Sequence, residues 1–222
     1  MKELFDRLSI KPNNIKLYEL AFSHSSYVNE KHLKSDYERL EFLGDAVLDL
    51  VMSDYLYNNF NEKEGSMTKM RASYVCENAC YTYAFDLGFS NYIKVGHGEI
   101  VTGGKYKKAI VADVFEALMG AIYLDLGYEK VKEVALNIII PYIEDKSKVF
   151  FSDYKSALQE AVQTDKKSME YVLLEESGPS HHKYFKVEVK VDDIVYGVGE
   201  GGSKKEAEQN AAKKALELLA NK

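Results

Sequence analysis

The sequence has few cysteines and lacks an apolar run long enough to cross a membrane. Its two cysteines, Cys76 and Cys80, exclude a disulfide framework and fit a reducing compartment. The longest apolar run, residues 134–143, is far shorter than the roughly 18 residues of a membrane-spanning helix. The first ten residues, MKELFDRLSI, carry acidic side chains where a signal peptide needs an apolar stretch. We therefore expect a cytoplasmic protein with no membrane partner.

Positive charge is also in deficit. The 222 residues include 29 Lys and Arg against 35 Asp and Glu, a formal net charge of -6. On this figure alone a nucleic acid is a poor candidate partner, because attraction to a polyanion requires exposed positive charge. The hydrophobic fraction of 46% is nevertheless ample for a core, and the length corresponds to about one to two domains.

The first two thirds of the chain have a helical pattern. Apolar residues recur at three- and four-residue spacing in residues 40–51, as one buried helix face requires. Three further segments show helical character: residues 66–87, 109–126 and 129–145. Ser66 is the expected N-cap of the second helix and Gly88 its end, whereas the glycines in residues 96–108 predict an irregular loop. Residues 1–145 are thus predicted to form an all-α domain.

The pattern changes after residue 145. Residues 146–152 are predicted to be a linker, and residues 153–222 a small α+β module with the order α-β-β-β-α. A helix near residues 154–163 precedes three strands, which we place at residues 171–174, 183–191 and 194–199, with a turn at Asp192 and Asp193. A capping box of Ser203 and Glu206 opens the last helix. Its predicted apolar stripe comprises Ala207, Ala211, Ala215 and Leu218.

Acidic side chains stand in unusual positions on two of the predicted helices. Three acids recur at i, i+3 and i+7, within about 60° of arc on one helix face: Glu38, Glu41 and Asp45. Asp113 and Glu116 repeat the i, i+3 spacing on a helix that is otherwise apolar. Carboxylate oxygens with few His or Cys nearby favour magnesium or manganese over zinc. On spacing alone the alternative stays open that these are solvated helix faces with Arg39 as a local partner.

These segments resemble the ribonuclease III family. ERLEFLGDAVLDL, residues 38–50, resembles the family signature, LAFSHSSYVNE the segment before it, and NEKEGSMTKMRASYV an acidic segment after it. KAIVADVFEALMGAIYLDLG resembles the second metal-binding helix. The last 70 residues resemble a double-stranded RNA-binding domain through LQE, GPSHHKYF and GSKKEAEQNAAKKAL. The resemblance implies an all-α endonuclease domain at residues 1–145 and an RNA-binding domain at residues 153–222.

The resemblance also implies an activity and a metal site. The metal ligands would be Glu41, Asp45, Asp113 and Glu116, with Glu38 and Glu64 as further acids of the catalytic site. The implied cofactor is Mg²⁺, for which Mn²⁺ could substitute, with no small-molecule cofactor. The implied reaction is cleavage of double-stranded RNA to 5'-phosphate and 3'-hydroxyl ends, in processing of ribosomal RNA precursors and structured messenger RNAs. A double-stranded RNA adaptor without nuclease activity is the alternative.

Finally, the resemblance implies a homodimer and a set of RNA contacts. Phe42 matches the position that contacts the partner subunit. The RNA contacts of the last domain would be Ser156, Gln159, Glu160, His181, Lys204 and Lys205. Lys105, Lys107 and Lys108 form a basic loop that could close over the RNA backbone. Glu208 departs from the family pattern, which has a third basic residue there. We expect structural positions for Cys76, Cys80 and His24.

Overall fold

The computed structural model describes residues 1–145, 154–164, 168–179 and 183–220. It divides into two compact units, Met1–Phe151 and Ser152–Lys222. The predicted linker at residues 146–152 lies outside the described residues. Among the residues that are described, no helix combines the length and the apolar character needed to cross a membrane.

The first unit is helical, as predicted. Its helices are α1 Lys2–Arg7, α2 Ile15–Ala21, α3 Ser25–Glu30, α4 Glu38–Asn59, α5 Glu64–Val75, α6 Glu77–Asp86, α7 His97–Val101, α8 Lys108–Leu126 and α9 Tyr128–Glu144. Helix α8 lies at the centre because it is apolar on almost every face, and α4 and α6 pack against it. Val114, Phe115 and Leu118 of α8 are completely buried.

The single helix predicted for residues 66–87 is wrong, because the segment forms α5 and α6. Cys76 separates them with an extended backbone, φ -70° and ψ 162°. Both helices pack against the same core, so the apolar spacing continues across the break and conceals it. Ser66 lies inside α5, whose N-cap is Lys63. The predicted end is confirmed, since Gly88 adopts a left-handed conformation with φ +74°.

The prediction of an irregular loop at residues 96–108 is also wrong in part. It contains α7 and a short 3₁₀ turn, Gly104–Tyr106, before α8 begins. Gly103, with φ +75°, connects the two pieces, and the Lys107 ammonium binds the Glu99 carboxylate at 2.6 Å. The glycines therefore join short helical turns instead of preventing them.

The second unit has the predicted α-β-β-β-α order. Its elements are α10 Tyr154–Thr164, β1 Met169–Ser177, β2 Tyr184–Val191, β3 Ile194–Gly201 and α11 Lys204–Ala220. The antiparallel sheet has the order β1-β2-β3, and the turn at Asp192 and Asp193 is confirmed, both residues having positive φ. Helix α11 lies very close to β3, because a Cβ at Gly199 would stand 2.2 Å from the Ala207 carbonyl oxygen.

Two details of α11 differ from the sequence pattern. Leu218 is 45% exposed and does not belong to the buried stripe, whereas the three alanines of that stripe are completely buried. The reason is helical phase, since the i+4 spacing of the alanines continues to Leu219, which packs against the core of the unit. At the other end, the Ser203 hydroxyl accepts the Glu206 N–H at 3.2 Å, and the Glu206 carboxylate accepts the N–H of Gly202 at 2.8 Å. The capping box thus closes one residue earlier than its usual form.

Candidate active site

Two glycines decide where α4 and α8 cross. A Cβ on Gly44 would lie 1.8 Å from the Glu116 carbonyl oxygen, and a Cβ on Gly120 would lie 2.3 Å from the Leu40 carbonyl oxygen. No side chain fits at either position, so the two helix backbones are in direct contact. The crossing places the acids of the two helices next to each other. Through this contact the acids of α4 and those of α8, which are far apart in the sequence, form one cluster.

The electrostatics of this cluster show that its members lie close together. Burial, followed by the charges of Asp45, Asp113 and Glu41, raises the pKa of Glu116 to about 8. Burial, followed by the charges of Asp113, Glu38 and Asp45, raises the pKa of Glu41 to about 7. Burial also raises the pKa of Asp45 and of Asp113. The tertiary structure therefore places the four predicted metal ligands and Glu38 near enough to interact electrostatically.

The donor set fits a hard divalent cation. All four groups are carboxylates, and their mutual repulsion beside an apolar helix is what a bound cation offsets. Within the part of the chain that is described, no three His, Cys, Asp or Glu side chains are already gathered as closely as a bound cation requires.

Glu38 and Glu64 occupy the first positions of their helices. Glu38 begins α4 and is exposed, and its charge contributes to the raised pKa of Glu41. Glu64 begins α5 and lines a cavity of about 350 Å³ with Ser53, Tyr57 and Arg71. The four carboxylates of the helix crossing do not line that cavity.

Two buried side chains that contact the acids could not be found from the sequence. The Tyr37 hydroxyl donates a hydrogen bond to Asp113 Oδ2 at 3.1 Å, and the buried Cys80 thiol lies close enough to Glu116 for each group to influence the pKa of the other. Tyr37 and Asp113 are 76 positions apart, so no local spacing indicates the contact. Both cysteines have the structural positions expected of them, since Cys80 is buried in the core and Cys76 is half-buried at the break between α5 and α6.

His24 has the structural role expected of it. It is the N-cap of α3, where its Nδ1 accepts the backbone N–H of Ser26 at 3.1 Å. Its ring also lies against that of Tyr37, with 5.7 Å between centroids. His24 thus supports the residue that reaches Asp113.

Carboxylate partners hold two of the three lysines in the basic loop. Lys107 binds Glu99 at 2.6 Å, and the Lys108 ammonium lies 3.5 Å from the Glu77 carboxylate. Lys105 is half-buried in the 3₁₀ turn. The loop therefore presents less free positive charge than its sequence suggests.

Phe42 is not a core residue, being 82% exposed. Leu50 and Tyr57, eight and fifteen positions further along α4, are 56% and 76% exposed. This spacing places the three side chains on one face of the helix, which we call the α4 apolar stripe. At its first end lies a cavity of about 680 Å³, lined by Phe42 itself, by five leucines and by polar and charged residues that include Glu38 and Arg39. Exposed large apolar side chains on one helix face are typical of an interaction surface.

The predicted RNA contacts of the second unit lie at its helices and in one loop. Lys204 and Lys205 are exposed at the start of α11, Gln159 is exposed on α10, and Ser156 is half-buried there. The side chain of Glu160 and all of His181 lie outside the described residues.

Glu208 has a structural partner. Its carboxylate accepts a hydrogen bond from Lys155 Nζ at 2.6 Å, and the same ammonium lies 4.7 Å from the ring centroid of Tyr171. The Glu208 side chain is only 15% exposed. Its charge is therefore neutralised inside the unit and does not face an approaching phosphate.

Comparisons with known proteins agree on the class of both units. Residues 14–143 match the family model described as Ribonuclease-III-like, and residues 154–219 match the double-stranded RNA binding motif. Ribonuclease 3 of Onion yellows phytoplasma (strain OY-M) is 47% identical over 225 residues, covering 99% of this chain and 92% of the relative. Ribonuclease 3 of Oceanobacillus iheyensis is 48% identical over 226 residues, covering 100% and 99%.

A solved structure supports the same comparison for the first unit. The nuclease domain of ribonuclease III from Campylobacter jejuni is similar with a TM-score of 0.59 and 37% identity, covering 63% of this chain and 95% of that chain. That structure is described as having structural flexibility in a region involved in dimer formation.

Proposed function

The chain belongs to the ribonuclease III family of double-stranded RNA endoribonucleases, and from that premise we propose that it is a Mg²⁺-dependent enzyme whose site is the carboxylate cluster at the crossing of α4 and α8. The observation that carries the proposal is the direct backbone contact of α4 and α8 at Gly44 and Gly120, which places the carboxylates of the two helices side by side. We further propose that Mn²⁺ can replace Mg²⁺, and that the products are 5'-phosphate and 3'-hydroxyl ends.

The residues of the chain have distinct parts in this reaction. When bound, the divalent cation supplies an activated water and neutralises charge on the phosphate oxygens. Asp45 and Glu116 would hold the cation from the two facing helices, with Glu41 and Asp113 as further oxygen donors. Glu38 and Glu64 extend the acidic surface at the first turns of α4 and α5. We propose ribosomal RNA precursors and structured messenger RNAs as substrates, and the cytoplasm as the site of action.

Cleavage of a long RNA duplex tests this function. We expect the protein to cut the duplex into short pieces in Mg²⁺ or Mn²⁺, and to leave it intact in EDTA. The products should be substrates for RNA ligase without prior phosphorylation, because their 5' ends carry phosphate and their 3' ends hydroxyl. A labelled ligation assay measures this. An intact duplex in all three conditions, with the duplex still bound, would instead identify a double-stranded RNA adaptor.

We propose a homodimer joined through the α4 apolar stripe and the leucine-lined cavity beside it. Phe42 is too exposed to stabilise its own chain, and the five leucines of the 680 Å³ cavity that Phe42 helps to line offer apolar surface to an aromatic side chain of a second subunit. In a two-fold interface the same patch serves both subunits, so a projecting side chain and a cavity on one surface are complementary. The similar Campylobacter jejuni domain is itself described as forming dimers.

We propose that the second unit, residues 153–222, binds double-stranded RNA through the start of α11. Exchange of Lys204 and Lys205 for alanine removes two proposed phosphate contacts, so we expect roughly tenfold weaker duplex binding. The salt dependence should also fall, because the slope of log K against log salt decreases in magnitude by about two when two phosphate contacts are lost. Binding titrations between low and moderate salt measure both quantities. Exchange of Lys213 and Lys214, exposed further along the same helix, changes the net charge equally and serves as the control. Equal losses in the two variants would contradict a specific role for the helix start.

A further inference from the structure

A tyrosine hydroxyl is directed at one of the site carboxylates. Tyr37 is only 2% exposed, and its hydroxyl donates to Asp113 Oδ2 at 3.1 Å. A phenol is uncharged at neutral pH, so it stabilises the carboxylate without competing as a cation. A bound Oδ2 restricts rotation of the carboxylate, and the second oxygen remains available to a ligand.

The position of Tyr37 is itself tightly determined. Its backbone N–H donates to the Ser23 carbonyl oxygen at 3.2 Å, at the point where α4 begins. Its ring lies against His24, whose own orientation is held by Ser26 through Nδ1. Ser26 in turn accepts the N–H of Gly96 at 2.9 Å. The hydroxyl therefore reaches Asp113 from a rigid surrounding, as a group that orients a metal ligand must.

We propose that Tyr37 is a positioning residue for the divalent cation site, which acts by holding Asp113 in the orientation that binds the cation. The inference rests on the proposed role of Asp113 as a metal ligand. The inference adds to the four carboxylates an uncharged residue, Tyr37, which precedes the signature segment of residues 38–50. Hydrogen-bonding partners of metal ligands commonly contribute a factor of about 10 to 100 in metal affinity.

The test measures Mn²⁺ binding directly, by loss of the free Mn²⁺ signal in electron paramagnetic resonance. Tyr37→Phe keeps the ring and removes only the hydroxyl. We expect roughly tenfold weaker Mn²⁺ binding, and a similar rise in the Mg²⁺ concentration that gives half-maximal cleavage. The maximal rate at saturating Mg²⁺ and the duplex affinity in EDTA should stay near those of the parent protein.

The chain offers a matched control in Tyr18. This residue is completely buried, and its hydroxyl donates to Asp125 Oδ2 at 2.9 Å, an equivalent bond. Asp125 lies twelve positions after Asp113 on α8, about 18 Å along the helix axis. Tyr18→Phe should therefore leave Mn²⁺ affinity unchanged. Thermal unfolding of both variants reports whether either loses its fold.

Asp113→Asn distinguishes the role of Tyr37 from the existence of the metal site itself. If Tyr37 acts through Asp113, the change to Phe adds nothing further in an Asp113→Asn protein. Unchanged Mn²⁺ affinity in Tyr37→Phe, or an equal loss in Tyr18→Phe, overturns the role of Tyr37 while leaving the metal site intact. Unchanged affinity in Asp113→Asn itself overturns the proposed metal site.

Discussion

Replacement of Glu116 by glutamine abolishes RNA cleavage and at the same time stabilises the metal-free protein. Cleavage is lost because glutamine keeps the shape of the side chain but not the negative charge that holds the cation, and we expect a rate reduction of at least about 10³-fold. Duplex binding in EDTA should be unchanged, since the RNA-binding unit is separate. Single-turnover cleavage and filter binding measure the two quantities.

The gain in stability follows from the raised pKa of Glu116. In the folded metal-free protein this pKa is about 8, compared with 4.5 in the unfolded chain. Between these values the native state binds more protons than the unfolded state, so the free energy of unfolding falls as pH rises. At pH 8 we expect Glu116→Gln to be more stable than the parent by roughly 1 to 2 kcal/mol, a value reduced for solvent screening of a half-buried group. Near pH 4.5 the difference should disappear.

Chemical denaturation at several pH values, in EDTA, measures this dependence. Glu133→Gln is a suitable control. Glu133 belongs to α9, outside the helix crossing that holds the four acids, and its carboxylate binds the Lys130 ammonium at 2.8 Å. It should neither raise stability at pH 8 nor affect cleavage. A cleavage-competent Glu116→Gln protein would contradict the assigned site, and a variant that is inactive but no more stable would contradict the electrostatic argument.

Replacement of Phe42 by glutamate separates the proposed dimer into monomers. Burial of a phenylalanine side chain contributes about 2 kcal/mol, and a two-fold interface contains the residue twice. We therefore expect the dimer dissociation constant to rise by at least about 10³-fold. Sedimentation velocity at micromolar concentration measures the change, and cleavage of a long duplex should fall with the dimer fraction.

Phe85→Glu is the matched control for this experiment. Phe85 is also an exposed aromatic residue, 50% accessible, but it lies on α6 beside Tyr81 and outside the α4 apolar stripe. The control protein should remain dimeric and active. A monomeric parent protein at micromolar concentration, or a dimeric Phe42→Glu protein, would reject the proposed interface.

The helices that form the site could be predicted well because their patterns are local. The spacing of apolar residues in α4, α8 and α9 follows from the 3.6-residue period. The structure confirms α8 and α9 to within a residue, whereas α4 extends eight residues beyond the segment 40–51 on which its prediction rested. The break at Cys76 escaped prediction, because a single extended residue between two helices on one core leaves the apolar spacing intact. Glu208 was interpreted as a lost positive charge, but its ion pair with Lys155 depends on a contact between α10 and α11.

By itself the sequence determined the chemical content of the site: carboxylates at helical spacing on two apolar helices, a basic start to the last helix, and an order of motifs that identifies the family. Tertiary structure alone decided that these acids meet. Gly44 and Gly120 permit backbone contact between α4 and α8, which brings charges some seventy residues apart close enough to raise each other's pKa. The same crossing places the Tyr37 hydroxyl on Asp113. The physical reason is distance, since hydrogen bonds and charge repulsion act over a few ångströms in space, and the sequence specifies only separations along the chain.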